Sequence, residues 1–225
     1  ARLGDTATIC HASHDGTEYL YKVMSPGRHF AMNGLAVLAL AGALGLDPVV
    51  AAADLGQWAP PPGRGTREHI VLDLVDETAF DLIDDAFNAN PASMAASLDV
   101  LIAATPRDDT GSRAKGRRIA VLGDMLELGP TELDLHQAIA RHPGLAAIDQ
   151  IHCVGPRMRA LHMALPRAQR GEWVETAAEL APRARSLIDA GDIVLVKGSK
   201  GIKVSLVVDA LRKLGQQAAL AKGGA

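Results

Sequence analysis

The hydrophobic pattern divides near residue 62. Residues 6 to 24 place Thr, Ile, Tyr and Val around His14-Asp15-Gly16, the pattern of a β-hairpin ending at Ser25-Pro26-Gly27. From Ala31 to Leu44 apolar residues run almost all round a helical wheel, which predicts a buried helix stopped by Gly45. A short helix from Pro48 to Leu55 follows. Three consecutive prolines, Pro60-Pro61-Pro62, fit neither a helix nor a central strand, so a domain boundary is placed near residue 62. Beyond it, apolar runs at 69–75, 79–84, 118–122, 150–154, 172–175 and 192–196 read as strands. They alternate with helical periodicity at 91–104, 131–141, 156–164, 176–189 and 202–214. This alternation predicts right-handed crossovers and a mainly parallel sheet covered on both faces, opened by a hairpin turning at Asp76-Glu77. Residues 216–225 read as a frayed tail.

Composition narrows the class. Of the 225 residues 48% are hydrophobic but only 3% aromatic, so the core is aliphatic, as in helix-covered parallel sheets. A net charge of -3 without a basic block argues against nucleic acid as a partner. Cys10 and Cys153 are far apart and form no CxxC pair, which points to a reducing cytoplasm rather than to disulfides or zinc. The most apolar stretch, Leu35 to Leu46, is shorter than the roughly 20 residues a membrane span needs. The chain opens on Ala1-Arg2 without an export signal and reads as the interior of a longer protein.

In open parallel sheets ligands bind beyond the carboxyl ends of the strands, and three polar loops fall there. They are Asp84 to Pro91, Gly123 to Gly129, and Lys197-Gly198-Ser199-Lys200-Gly201. Asn90 before Pro91 is equally readable as a helix N-cap. Adjacent Asp84 and Asp85 repel unless something stabilises them, which favours a ligand role for at least one. Lys197 and Lys200 around Ser199 suit a phosphate or carboxylate, or are simply solvated charges. In the first segment His29 and Asn33 share a helical face and could together read a purine edge, or only cap and bond the helix. Arg64, just past the prolines, sits where charge can be delivered to phosphates, or is an ordinary exposed arginine. His11 and His14 read as surface residues, Cys153 as inert core, and His136 as a surface or packing histidine; no metal site is expected.

Taken in order, these strings resemble the Mur ligase family of peptidoglycan synthesis. The resemblance rests on Pro26-Gly27-Arg28-His29 with Asn33, Gly63-Arg64, Asp84 to Pro91 with Ser93 and Met94, Gly123 to Gly129 with His136, and Gly191-Asp192 through Ser199. Asp84 to Pro91 and Gly123 to Gly129 match the members that add D-alanyl-D-alanine to UDP-N-acetylmuramoyl-tripeptide. The resemblance implies that residues 1–62 are the last part of a central ATPase domain and 63–215 a Rossmann-like C-terminal domain, with 216–225 a flexible tail. It implies ATP and Mg²⁺, the Mg²⁺ ligands lying mostly outside this chain, since no GxxxxGK[ST] loop occurs in it.

By the same resemblance His29 and Asn33 contact adenine, Arg64 reaches the ATP phosphates, and Asp85 binds ribose or anchors the nucleotide site. Asn88, Asn90, Glu127, Lys197 and Ser199 line the cleft for dipeptide and acceptor, with Arg64, Asp85 and Lys197 as the catalytic set. A monomer is implied, and this chain alone is expected to be inactive. Phe30 stands where the family often has Asn, and Ala86 and Phe87 stand where it has Ser and Tyr. A non-catalytic Rossmann-like nucleotide or amino-acid binding module remains the other reading. A folylpolyglutamate-type ligase is disfavoured by Asp84 to Pro91.

Overall fold

A computed structural model describes residues 1–4, 6–14 and 16–222. The chain forms two compact units, Ala1–Pro61 and Pro62–Ala225.

In unit 1, β2 (Thr8–His14) and β3 (Thr17–Val23) pair antiparallel, and β1 (Arg2–Leu3) adds to the edge of β2. Helices α1 (Arg28–Ala43) and α2 (Pro48–Leu55) cover this sheet. A Cβ on Gly34 would meet the Tyr21 ring at 2.8 Å, so glycine there lets α1 lie close on β3. The Tyr21 hydroxyl donates to the Ala31 carbonyl at 2.5 Å. Only one stripe of α1, Ala31, Gly34, Leu38 and Ala41, is buried. The expectation of a helix buried all round is therefore corrected. Met32, Val37, Leu40 and Leu44 are exposed because the three-stranded sheet and α2 offer an apolar surface to one side of the helix alone.

Unit 2 carries a six-stranded sheet in the order β4 (Thr66–Asp73), β5 (Thr78–Asp85), β9 (Ile193–Lys197), β6 (Arg118–Gly123), β7 (Gln150–Val154), β8 (Arg170–Val174). Only β4 runs antiparallel, joined to β5 by the hairpin around residues 74–77. Strand side chains alternate between two cores. Ala120 and Leu122 pack with α3 (Pro91–Ala103) and α5 (Met158–Ala164), while Ile119 and Val121 pack with α6 (Ala177–Leu180), α7 (Ala184–Leu187) and α8 (Ser205–Lys222).

The elements depart from the sequence pattern where local chemistry intervenes. The first strand begins at Thr66 because Gly65 N–H already bonds the Asp84 carbonyl and sets the register. The helix expected at 176–189 breaks at a 3₁₀ turn containing Pro182, whose ring removes a donor. The helix expected at 131–141 is α4 (Glu132–Ala138) flanked by 3₁₀ turns. Helix α8 extends to Lys222, through most of the expected tail; residues 223–225 lie outside the described residues. No helix among the described residues is long and apolar enough to cross a membrane.

His152 on β7 is buried, and its Nδ1 accepts the Glu172 N–H at 3.0 Å, so Nε2 carries the proton, without a partner among the described residues. Burial first, then the nearby positive groups of Arg117, Arg183 and His162, push its pKa from 6.5 down to about 4. The folded state thus disfavours the imidazolium that the unfolded chain accepts. Stability from this group is complete above about pH 6.5 and is lost as pH falls toward 4, by up to about 3 kcal/mol. Denaturant melts of the protein and of His152→Gln should show the variant losing less stability across that window; parallel curves would refute the assignment.

Candidate functional site

The parallel strands deliver their carboxyl ends to one rim. Asp85 sits opposite Lys197, Lys197 opposite Leu122, and Gly123 opposite Val154. The loops after β5, β9 and β6 therefore meet there.

Adjacent Asp84 and Asp85 do not oppose each other, because successive strand side chains point to opposite faces. Asp84 Oδ2 accepts from Arg212 of α8 at 2.7 Å, and the same guanidinium grips Glu68 on β4. Asp84 is thus accounted for by an ion pair within the fold. Asp85 turns the other way. Its Oδ2 accepts from Lys197 Nζ at 2.7 Å and from Ser97 Oγ at 2.5 Å, leaving Oδ1 without a bond among the described residues. Lys197 is 1% exposed, and its second bond goes to the Asn88 carbonyl at 2.9 Å. A lysine this deep needs such partners to remain charged.

Ser199 is also buried and ties loops together. Its N–H donates to the Asp124 carbonyl (3.0 Å), and its Oγ accepts the Leu126 N–H (2.9 Å) and donates to the Ala89 carbonyl (3.4 Å). The 123–129 loop has two further anchors. The Asp124 carboxylate, fully buried, accepts the N–H groups of Met158 (2.7 Å) and Arg157 (3.2 Å). His136, fully buried, accepts the Met125 N–H on Nε2 at 2.9 Å while Nδ1 meets the Glu132 carbonyl at 2.6 Å. Since a carbonyl only accepts, Nδ1 carries the hydrogen and the ring is neutral. Glu127, held at φ 63, and Asn88 are exposed on this rim. Asn90 is the N-cap of α3 in a reciprocal pair with Ser93, its Oδ1 accepting the Ser93 N–H at 2.8 Å. Arg64, at the start of unit 2, lies over the Phe87 ring, 4.1 Å from its centroid.

Asn33 lies in unit 1. It lines a cavity of about 410 Å³ with Phe30, Gly34, Val37 and Trp58, a size that suits a small ligand. Phe30 and Trp58 are 5.4 Å apart between centroids, and the His29 ring packs on Phe30 at 4.0 Å. Among the described residues no group of three or more His, Cys, Asp or Glu side chains could hold a metal ion.

Sequence reasoning passed over Ser97, Asp124 and Trp58. Ser97 stands one helical turn after Ser93, a legible spacing whose Asp85 partner only the fold reveals. Of the two places open to His136, surface or packing, the fold gives it the second: Nε2 bonds the loop that precedes α4 and Nδ1 bonds the first turn of α4 itself.

Residues 72–200, more than half of the chain, match the family described as Mur ligase, glutamate ligase domain. The UDP-N-acetylmuramoyl-tripeptide–D-alanyl-D-alanine ligase of Escherichia coli is 30% identical over 93% of this chain and 45% of its own length. The enzyme of that name from Rickettsia prowazekii is 29% identical over 81% and 37%. This chain spans less than half the length of these relatives. Among solved structures, a D-alanyl-D-alanyl ligase from Acinetobacter baumannii superposes with a TM-score of 0.72 at 26% identity, over 93% of this chain and 42% of that one. MurF from Thermotoga maritima, solved with ADP, shares the fold at TM-score 0.73 and 20% identity, over 95% and 45%. With its parallel sheet, its three loops on one rim and these matches, the chain belongs to the Mur ligase family.

Proposed function

We propose that this chain is part of an ATP-dependent, cytoplasmic, monomeric ligase that joins D-alanyl-D-alanine to UDP-N-acetylmuramoyl-tripeptide. In this reading residues 1–62 close an ATP-binding domain and residues 63–215 form the ligase domain. One observation supports it above the others: Asp85, Lys197, Ser199 and the 123–129 loop converge on one rim of one sheet. ATP supplies the phosphoryl group that makes the acceptor carboxylate, otherwise a poor electrophile, open to attack by an amine.

Each unit contributes its own side chains. In unit 1 Asn33 and His29 read the adenine edge, with the contacting rings of Phe30 and Trp58 offering the base an apolar wall. In unit 2 the exposed Arg64 guanidinium meets phosphate oxygens, and Asp85 Oδ1 accepts from a ribose hydroxyl. Lys197, too deep to touch substrate, acts through Asp85 and Asn88 as a positioning residue, and Ser199 does the same for the 123–129 loop. Asn88, Asn90 and Glu127 face the dipeptide and acceptor. Mg²⁺ takes its ligands mostly from outside this chain. The exposed apolar side of α1 supports a further segment packing on unit 1.

The test is an amine competition with the longer polypeptide that carries this chain, given acceptor, ATP and Mg²⁺. D-alanyl-D-alanine should be joined and glutamate left. Arg64→Ala and Asp85→Ala should each lower kcat/KM by about 10²-fold. The 225 residues alone should show no ligation. Preference for glutamate, or ligation by the 225 residues alone, would overturn the reading.

A further inference from the structure

We propose that Phe87 is a positioning residue, whose ring holds the cations of Arg64 and Lys200 together on the rim of unit 2 as a receptor for a multiply charged phosphate oxyanion. The Arg64 guanidinium lies 4.1 Å from the ring centroid and the Lys200 ammonium 5.4 Å from it. Neither cation has an ion pair or hydrogen bond among the described residues. Two like charges brought to one exposed spot repel, and their convergence needs a compensating partner. The negative face of an aromatic ring provides part of it without neutralising either charge, as a carboxylate would.

The backbone fixes this meeting. Phe87 N–H donates to the Gly63 carbonyl at 3.0 Å and Gly65 N–H to the Asp84 carbonyl at 2.8 Å, so the segment carrying Arg64 is fastened to the end of β5. Gly63 has φ 76, and a Cβ there would press on Phe87 Cβ at 3.3 Å, so glycine suits the turn on both counts. Lys200 arrives from the next strand, opening the 3₁₀ turn Lys200–Ile202. Phe87 itself is 40% exposed, and burial in the core does not account for a phenyl ring there. What two fixed, unpaired cations at one edge recognise is an oxyanion carrying more than one charge. Its identification as a phosphate group rests on the role proposed for Arg64 above.

The probe is inorganic pyrophosphate, titrated at low ionic strength into the 225-residue protein and followed by NMR. In the free protein the side-chain protons of Arg64 and Lys200 should be shifted upfield by the ring. Phe87→Leu should abolish those shifts and weaken pyrophosphate about three- to fivefold, while Phe87→Tyr keeps both. Arg64→Ala and Lys200→Ala should each weaken binding further. Phe87→Leu binding as tightly as the parent, or a parent spectrum without the upfield shifts, would overturn the proposal. If these results hold while the longer protein fails the dipeptide competition, the ligase reading falls and the positioning role of Phe87 stands.

Discussion

Replacing Lys197 with methionine is expected to cost unit 2 about 3 kcal/mol, because the substitution leaves the half-buried Asp85 carboxylate without its cation. The ammonium is almost wholly buried and makes two bonds, to Asp85 and to the Asn88 carbonyl, so the variant also frees the loop from Asp85 to Asn90. For a unit of this size the loss corresponds to roughly 10 °C in Tm. Asp85→Leu alone should be at least as harmful, since it strands a buried positive charge. The double variant, with neither charge, should recover to within about 1 kcal/mol of the parent. Urea melts of the four proteins close the cycle. A Lys197→Met change below about 1 kcal/mol, or a double variant as weak as the sum of the singles, would refute the pairing as the fastening of this rim.

Asp124→Ala is the second large effect expected. It removes the acceptor of the Met158 and Arg157 N–H groups at the start of α5, and it takes from Arg157 one of its two carboxylate neighbours, the other being Glu132. Bonds to a charged acceptor contribute about 1.5–3 kcal/mol each, so about 3 kcal/mol is expected in all. Gly155→Ala should reproduce much of it from the other side, because its Cβ would fall 2.4–2.6 Å from the Asp124 carboxylate, at a φ of 111. Amide exchange should quicken across residues 123–129 in both variants more than in the strands. Unchanged protection there would mean that Asp124 does not hold the loop.

Much of this was legible from residue order. Alternating apolar runs mark the six strands because a sheet covered on both faces leaves little room for polar positions, and the strand ends then name the rim. Asp85 and the loop after β9 could be singled out for the same reason, and Arg64 for its place just past the prolines. Which partner each side chain chooses was not legible, since partners lie far apart in the chain: Asp84 finds Arg212, and Asp124 finds the start of α5. The paired aspartates argued for a ligand only while their directions were unknown. The packing of α1 was misjudged for a related reason. A wheel apolar all round says that the helix can be buried, while the surfaces presented to it decide which side is.

The opposed aspartates have a mechanical consequence. Through Arg212, Asp84 fastens the strand terminus to the last helix, and through Ser97, Asp85 fastens it to the helix on the reverse side, so one dipeptide rivets three layers. A deletion of a single residue early in β5 would set Asp85 where Asp84 stands and Ala86 where Asp85 stands, leaving Ser97 and Lys197 without their carboxylate. Length, more than composition, is what this strand cannot surrender.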